Sequence, residues 1–381
     1  MAIASGMWHC AGLKADGSIV TWPTGSSGLN DVPEPNSDFV AVRAGASHTL
    51  GIKRDGWVVT WGYDANWQCG IQGHDFVEVA TAGRHNLGLR RDGEIVAWGD
   101  NGEGQCDVPE PNTGFTAVAT GFRHSLGLKE DTSIVAWGED YYGVCDVPEP
   151  NLGFIALSTS LVHNLGLKSD GSIVGWGNNV SGACDVPPPN TGFVAIAAGS
   201  GYSLGLKADG SIIAWGANDY GACDVPDPNR DFIAASAGYL HCLGLKNDGT
   251  IVAWGDNSHG QCDVPAPNAD YIAVSAGTDY SLAVRVDGSV VGWGRNRDGQ
   301  CDPPQGTSRI SSIAAGGSYS LAIRANLPCP GDVDGDGDTD QSDLGLLLAH
   351  YTLDSIGDLD GDGDTDQSDL GILLADYGCR P

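Results

Sequence analysis

The sequence predicts a mainly all-β protein: a β-propeller of four-stranded blades, followed by a small α-helical domain. Three observations carry this. Trp22, Trp61, Trp98, Trp137, Trp176, Trp215, Trp254 and Trp293 recur 39, 37, 39, 39, 39, 39 and 39 residues apart. Within each interval apolar residues alternate on both sides of a turn. The final 56 residues hold fourteen Asp against a single basic residue, Arg380, in two near-copies of one acidic passage.

Self-similarity at this period means one supersecondary unit copied many times. A typical unit runs from Phe115 to Asn151, FTAVATGFRHSLGLKEDTSIVAWGEDYYGVCDVPEPN. Its first strand is made of small residues ending in Gly, which suits the crowded inner end of a blade. Leu-x-Leu and Ile-Val-x-Trp then alternate with the period of a strand. Between them lies Asp-Gly, at Asp16, Asp55, Asp92, Asp170, Asp209, Asp248 and Asp287. Asp-Gly tolerates positive φ, so it predicts a type I′ hairpin. The fourth unit has Asp131-Thr132 there and predicts a stiffer or differently shaped turn. Cys-Asp-Val-Pro predicts a short outer strand, where Pro blunts unwanted pairing. Eight Trp units and a ninth partial copy, Ile313 to Arg324, favour eight blades, the partial copy closing the ring. Seven blades with an unused half-unit is the alternative.

A hydrophobic content of 41% supports a buried core, and 57 Gly with 11 Trp fits turns and strands better than helices. The net charge is −30, of which −17 falls in residues 1–325. A surface that faces phosphates is therefore disfavoured, for nucleic acid and for anionic membrane alike. No stretch is long and apolar enough to insert in a membrane. The first ten residues hold no leader pattern and read as a strand, so a truncated or processed start is expected.

His9, His48, His85, His124, His163 and His241 share one register, with Tyr202, Tyr280 and Tyr319 elsewhere. A ring of metal ligands is one reading. Exchange with Tyr favours a repeated structural hydrogen bond, because ligands one blade apart do not converge on one ion. Cys69, Cys106, Cys145, Cys184, Cys223, Cys262 and Cys301 each lie eight residues after a Trp, where Asn30 stands in the first unit. Equivalent points on separate blades exceed the ~7 Å that a disulfide spans, so buried free thiols are expected. Cys10 and Cys242 form another unpaired register. There is no Gly-x-Ser-x-Gly and no Cys-x-x-Cys, and the glycines follow the repeat and form no phosphate loop.

With Gly121, His124, Ser125, Leu126, Gly127, Trp137 and Gly138 as the pattern, the units resemble repeats of the regulator of chromosome condensation family. The resemblance covers residues 1–325 and implies a propeller, usually seven-bladed. The family includes nucleotide-exchange factors and a secreted β-lactamase inhibitor protein. The chain departs from it by ending each unit in Cys-Asp-Val-Pro-x-Pro-Asn.

In the tail, residues 326–381, acidic groups fall at loop positions 1, 3, 5, 7, 9 and 12: Asp332, Asp334, Asp336, Asp338, Asp340 and Asp343, then Asp358, Asp360, Asp362, Asp364, Asp366 and Asp369. Gly337 and Gly363 take position 6, where a calcium loop turns sharply. Two carboxylates 4 Å apart repel by about 4 kcal/mol at an effective dielectric near 20, so such loops need an ion. Two calcium ions are the expected cofactors, held in EF-hand-like loops. Each loop is followed by one apolar helical run and preceded by none.

Duplicated loop–helix units with Asp at position 12 resemble dockerins, over residues 329–379. The resemblance implies calcium-dependent binding to a cohesin-like or cell-surface partner, with Gln341, Ser342, Gln367 and Ser368 choosing it. In such a pseudosymmetric pair the ends meet, so a Cys329–Cys379 disulfide is expected, worth about 4 kcal/mol by chain entropy. That bond implies an oxidising compartment, outside a bacterial cell or on its surface. The expected function is that of an exported, non-enzymatic adaptor, monomeric alone, whose propeller recognises a protein or glycan. Tyr141, Tyr142, Tyr220, Trp67 and His259 are its candidate contacts. A regulator of an enzyme (inhibitor or exchange factor) is the alternative, and a hydrolase component of a polysaccharide-degrading complex is the third reading.

Overall fold

The computed structural model describes residues 3–5, 9–14, 17–22, 28, 30–45, 47–70, 73–297, 299, 301–302 and 313–314. All lie in the first of the two units into which the chain divides, Met1–Ile323. They form eight antiparallel blades and no helix. The fourth blade shows the plan: an inner strand Phe115–Thr120, a middle strand His124–Lys129 and an outer strand Ile134–Gly138. Inner strands of successive blades are neighbours, as the small residues predict. In the first blade Ile313–Ala314 adds parallel to Ile3–Ser5, which places the ninth partial copy against the N-terminal unit.

Side chains on the two faces of a blade alternate, so the core consists of separate apolar clusters between blades. Leu126, Leu128 and Ile134 of the fourth blade pack on Phe154, Leu157 and Trp176 of the fifth. The same set recurs one repeat earlier with Leu87, Leu89 and Ile95 against Phe115, Val118 and Trp137. Leu282, Val284 and Val290 of the eighth blade pack against Trp22 of the first. That contact closes the ring.

The blades depart from the expected four strands. Seven of the eight sheets have three, and Cys-Asp-Val-Pro forms turns. Two features remove the fourth strand. Pro lacks the N–H a ladder needs, and the Cys N–H is taken locally: Cys106 N donates to Asn101 Oδ1 at 2.8 Å. In six of the described blades the outer edge is covered instead by the last Asn of the repeat, and in the second blade Gly73 O accepts from Val58 N. Asn112 Oδ1 accepts from Ile95 N and its Nδ2 donates to Ile95 O, both at 2.8 Å, so one amide does the pairing of a strand residue. Asn36, Asn151, Asn190, Asn229 and Asn268 do the same.

The hairpins are not type I′ either. Only the Gly has positive φ, from 75° to 82° across Gly17, Gly56, Gly93, Gly171, Gly210, Gly249 and Gly288. In each, an N–H three residues on bonds the carbonyl that opens the turn, as Gly171 N to Lys168 O at 2.9 Å. This is a type I turn with a left-handed residue after it. Asp stays at negative φ because its carboxylate bonds forward, Asp170 Oδ1 accepting from Ser172 N and Oγ. Thr132 was expected to reshape its turn, but it adopts φ 67° and keeps it. Its Oγ1 accepts from Gly153 N at 2.8 Å, which offsets part of the strain of a β-branched residue there.

Candidate functional site

The two ends of the ring differ. At one end the inner–middle loop is clipped to the loop after the outer strand: Tyr63 N to Ser47 O, Asp100 N to Arg84 O, Glu139 N to Arg123 O. Hairpins and Pro-Asn links occupy the other end. There each middle-strand cation is already engaged. Lys129 Nζ sits 4.5 Å from the Phe115 ring centre and donates to Pro111 O and Thr113 O. That end is held together by its own charges, and chemical variety collects at the loop end.

In most blades the loop after the outer strand is stapled below its tip. Asn101 Nδ2 donates to Asp107 Oδ1 at 2.8 Å, and Asn179, Asn218, Asn257 and Asn296 repeat the bond. The tip then bends through Gly at positive φ: Gly104, Gly143, Gly182, Gly221, Gly260 and Gly299, between 69° and 80°. The second blade places Trp67 at that point, φ 61°, with 76% of it exposed. A bulky residue in the left-handed region stores about 1–3 kcal/mol of strain, and a bare indole gains nothing from water. Tyr141 is 77% exposed and stacks edge-on with Tyr142 at 4.7 Å; Tyr220 is 56% exposed. All these candidate contacts, with His259, therefore stand on the loop end. Phe122 and Arg123 join them and were not anticipated. Arg123 lies 5.7 Å from the Phe122 ring and 3.4 and 3.7 Å from Glu103 and Glu139. Aligning the repeats column by column reveals Trp67 in a Gly column; nothing in the sequence alone marks the arginine.

The histidines are structural. Each is at most 2% exposed and bonds the next blade: His48 Nε2 to Asn86 Oδ1 at 2.6 Å, His85 to Ser125 Oγ at 2.9 Å, His124 to Asn164 Oδ1 at 2.7 Å, with His9, His163 and His241 likewise. The acceptor passes the link on. Ser125 Oγ donates to Gln105 O, the carbonyl that also receives the indole N–H of Trp137. Tyr202 substitutes by donating to Gly238 O and His241 O. Burial pushes His9 and His85 down to about 3 and His163 and His241 to about 4; it also lowers His48 and His124.

The cysteines are free among the described residues, though most are half-buried and only Cys242 and Cys301 are fully buried. Each outer thiol points at a backbone carbonyl, Cys106 Sγ to Asp100 O at 3.3 Å. Desolvation, then neighbouring Asp residues, push Cys69, Cys106, Cys145 and Cys262 up to about 12. The thiolate is the nucleophile. N-ethylmaleimide at pH 7 should therefore label the native ring at least about 100-fold more slowly than the urea-unfolded chain; equal rates would contradict this placement.

Two clusters invite chemistry. Ser160 Oγ lies 2.7 Å from His163 Nδ1, but both are buried, away from any substrate. Asp256, His259 and Asp279 bring one potential ligand atom each within 4.8 Å. Their carboxylates are already engaged: Asp256 accepts from Ser258 and Gln261, and Asp279 pairs with Arg295 at 3.0 Å. The cluster suits polar contact with a partner better than ion capture. The tail residues singled out above (Asp332 to Asp343, Asp358 to Asp369, Gln341, Ser342, Gln367, Ser368, Cys329 and Cys379) lie outside the described residues.

The profile of the regulator of chromosome condensation (RCC1) repeat matches residues 76–105, 193–222, 232–261 and 271–300. No curated protein matches the chain. Among solved structures, the CRINKLY WD40 ectodomain of the Arabidopsis thaliana receptor kinase ACR4 is similar at 23% identity and TM-score 0.51, over 67% of this chain and 97% of that one. The entire ectodomain of the Physcomitrella patens receptor kinase CR4 gives 20% and 0.50, over 67% and 72%. Prp20p of Saccharomyces cerevisiae gives 18% and 0.49, over 78% and 85%. At these identities the two receptor-kinase ectodomains speak for the fold alone, and with the repeat match the N-terminal unit is a β-propeller carrying RCC1 repeats.

Proposed function

We propose that the chain is an exported, non-enzymatic adaptor in two parts, residues 1–325 and 326–381. The loop end of the propeller recognises a protein, and the tail binds two calcium ions and docks to a cohesin-like or cell-surface partner. The observation that carries the first half is Trp67. It is a strained, exposed indole in a column of glycines, a conformation that ring stability alone would remove. The second half rests on the spacing of Asp332 to Asp343 and Asp358 to Asp369 with their position-6 glycines. Through the tail, Gln341, Ser342, Gln367 and Ser368 would contact the scaffold.

Calorimetry tests the tail directly. The full chain should take up two calcium ions after chelator treatment, and a chain carrying Asp332→Ala and Asp358→Ala should take up none. Heat for fewer than two sites in the parent would sink the dockerin reading. A cohesin-type partner should be retained on a column in calcium and released by chelator, while a partner of the loop end stays bound.

A further inference from the structure

Resting on the loop end as the recognition surface, we infer that its arc from the second to the fourth blade binds an extended, Lys/Arg-rich segment of a partner protein. Acidic groups run through this arc, with exposed aromatics in the second and fourth blades that bound it. Tyr63, Asp64 and Trp67 come from the second blade, Asp100 and Glu103 from the third, and Glu139, Asp140, Tyr141 and Tyr142 from the fourth. Five carboxylates face two arginines, Arg84 and Arg123, and Arg123 is already held by Glu103 and Glu139. The chain as a whole carries −30, which would draw a cationic segment to it.

A comparison within the ring sharpens the argument. Five sister loops place Asn at the staple, where it both receives the Cys N–H and donates to the Asp six residues on. Asp64 and Asp140 stand in that column. Each keeps the first bond, Cys69 N to Asp64 Oδ1 and Cys145 N to Asp140 Oδ1. Neither loop makes the second bond: Asp140 cannot donate to Asp146, and the second blade has Gly70 where its sisters have the accepting Asp. These two loops are also the ones whose tips carry Trp67 and the Tyr141–Tyr142 pair. So in the fourth blade a stapling amide is exchanged for a carboxylate, and in both loops a carboxylate stands in the Asn column near an exposed aromatic. A carboxylate beside a π face is the recognition chemistry of guanidinium and ammonium groups. A neutral glycan uses aromatic platforms but gains nothing from the added charge.

The test uses the full chain in calcium, and fluorescence anisotropy of a labelled twelve-residue Arg/Lys/Gly peptide at 0.15 M salt. Trp67→Gly is charge-neutral and relieves the strained φ. It should weaken binding about tenfold while raising the thermal midpoint by about 2 °C. The pair Asp64→Asn and Asp140→Asn restores the sister residues and should weaken binding by a similar factor without lowering that midpoint. Binding indifferent to Trp67→Gly would reduce the attraction to bulk charge and overturn the proposal. If a neutral oligosaccharide binds in a Trp67-dependent way and the peptide does not, the cationic chemistry fails but the recognition surface stands. If Trp67→Gly changes the binding of neither, the surface itself is misassigned.

Discussion

Lowering the pH from 7 to 4 is expected to unfold the propeller cooperatively, with uptake of at least about four protons by its buried histidines. His9, His48, His85, His124, His163 and His241 are neutral donors between blades, and burial lowers all six. In the unfolded chain each returns to about 6.5. The unfolded state therefore binds more protons below pH 6.5, and stability falls as pH falls towards the folded values. At pH 5 His9, His85, His163 and His241 each contribute about 2 kcal/mol of loss, so these four sum to about 8 kcal/mol, comparable to a whole domain's net stability, and His48 and His124 act in the same direction. The turn carboxylates Asp131, Asp170, Asp209, Asp248 and Asp287 are shifted down, chiefly by hydrogen bonds from the Ser or Thr two residues on, and titrate below this window. Circular dichroism against pH measures the slope. Replacing His85 and His124 by Tyr, as the ring itself does at Tyr202, should reduce the proton uptake and move the midpoint lower. A midpoint below pH 4, or an uptake of fewer than two protons in the parent, would contradict the account.

Asn112→Ala should be the costliest single change at the blade rim. It leaves Ile95 N–H and C=O unpaired in a part-buried position, at about 1–3 kcal/mol for each stranded group. About 3 kcal/mol is expected in urea unfolding. Asn112→Asp keeps the acceptor and loses the donor, and should recover roughly half. Asn112→Ala within 0.5 kcal/mol of the parent would mean that water or a shifted backbone covers the edge equally well.

Period and alternation made the ring legible. The Trp spacing, Leu-x-Leu and the small inner strand are direct consequences of side chains pointing to opposite faces of a sheet. The fourth strand was misread because Cys-Asp-Val-Pro has the composition of a strand while its hydrogen bonds are local. That decision is made by Asn101 and Asn112, polar residues whose periodicity carries no hydrophobic signal. The turn type was misread for a related reason: Asp-Gly permits two geometries, and the following Ser, donating to Asp170 or Asp209, selects one. At the loop end, Tyr220 was visible beside Gly221, Tyr141 two residues before Gly143, and Trp67 in the place of the column's Gly. The neighbourhood of Arg123, Glu103 and Glu139 was not, since it joins residues of two blades across 20 positions.

The Asn–Asp staple beneath five of the tips has a practical corollary. From Asn101 to Asp107 the chain leaves the barrel-like body and returns to it through one side-chain clasp. Of Gly102, Glu103 and Gly104 above that clasp, Glu103 reaches the next blade through an ion pair with Arg123 whose side chains are both about half exposed. Tips are thus interchangeable cassettes. A laboratory library, or duplication of a single unit followed by drift, can diversify the five stapled tips at once while the supporting architecture stays unaltered.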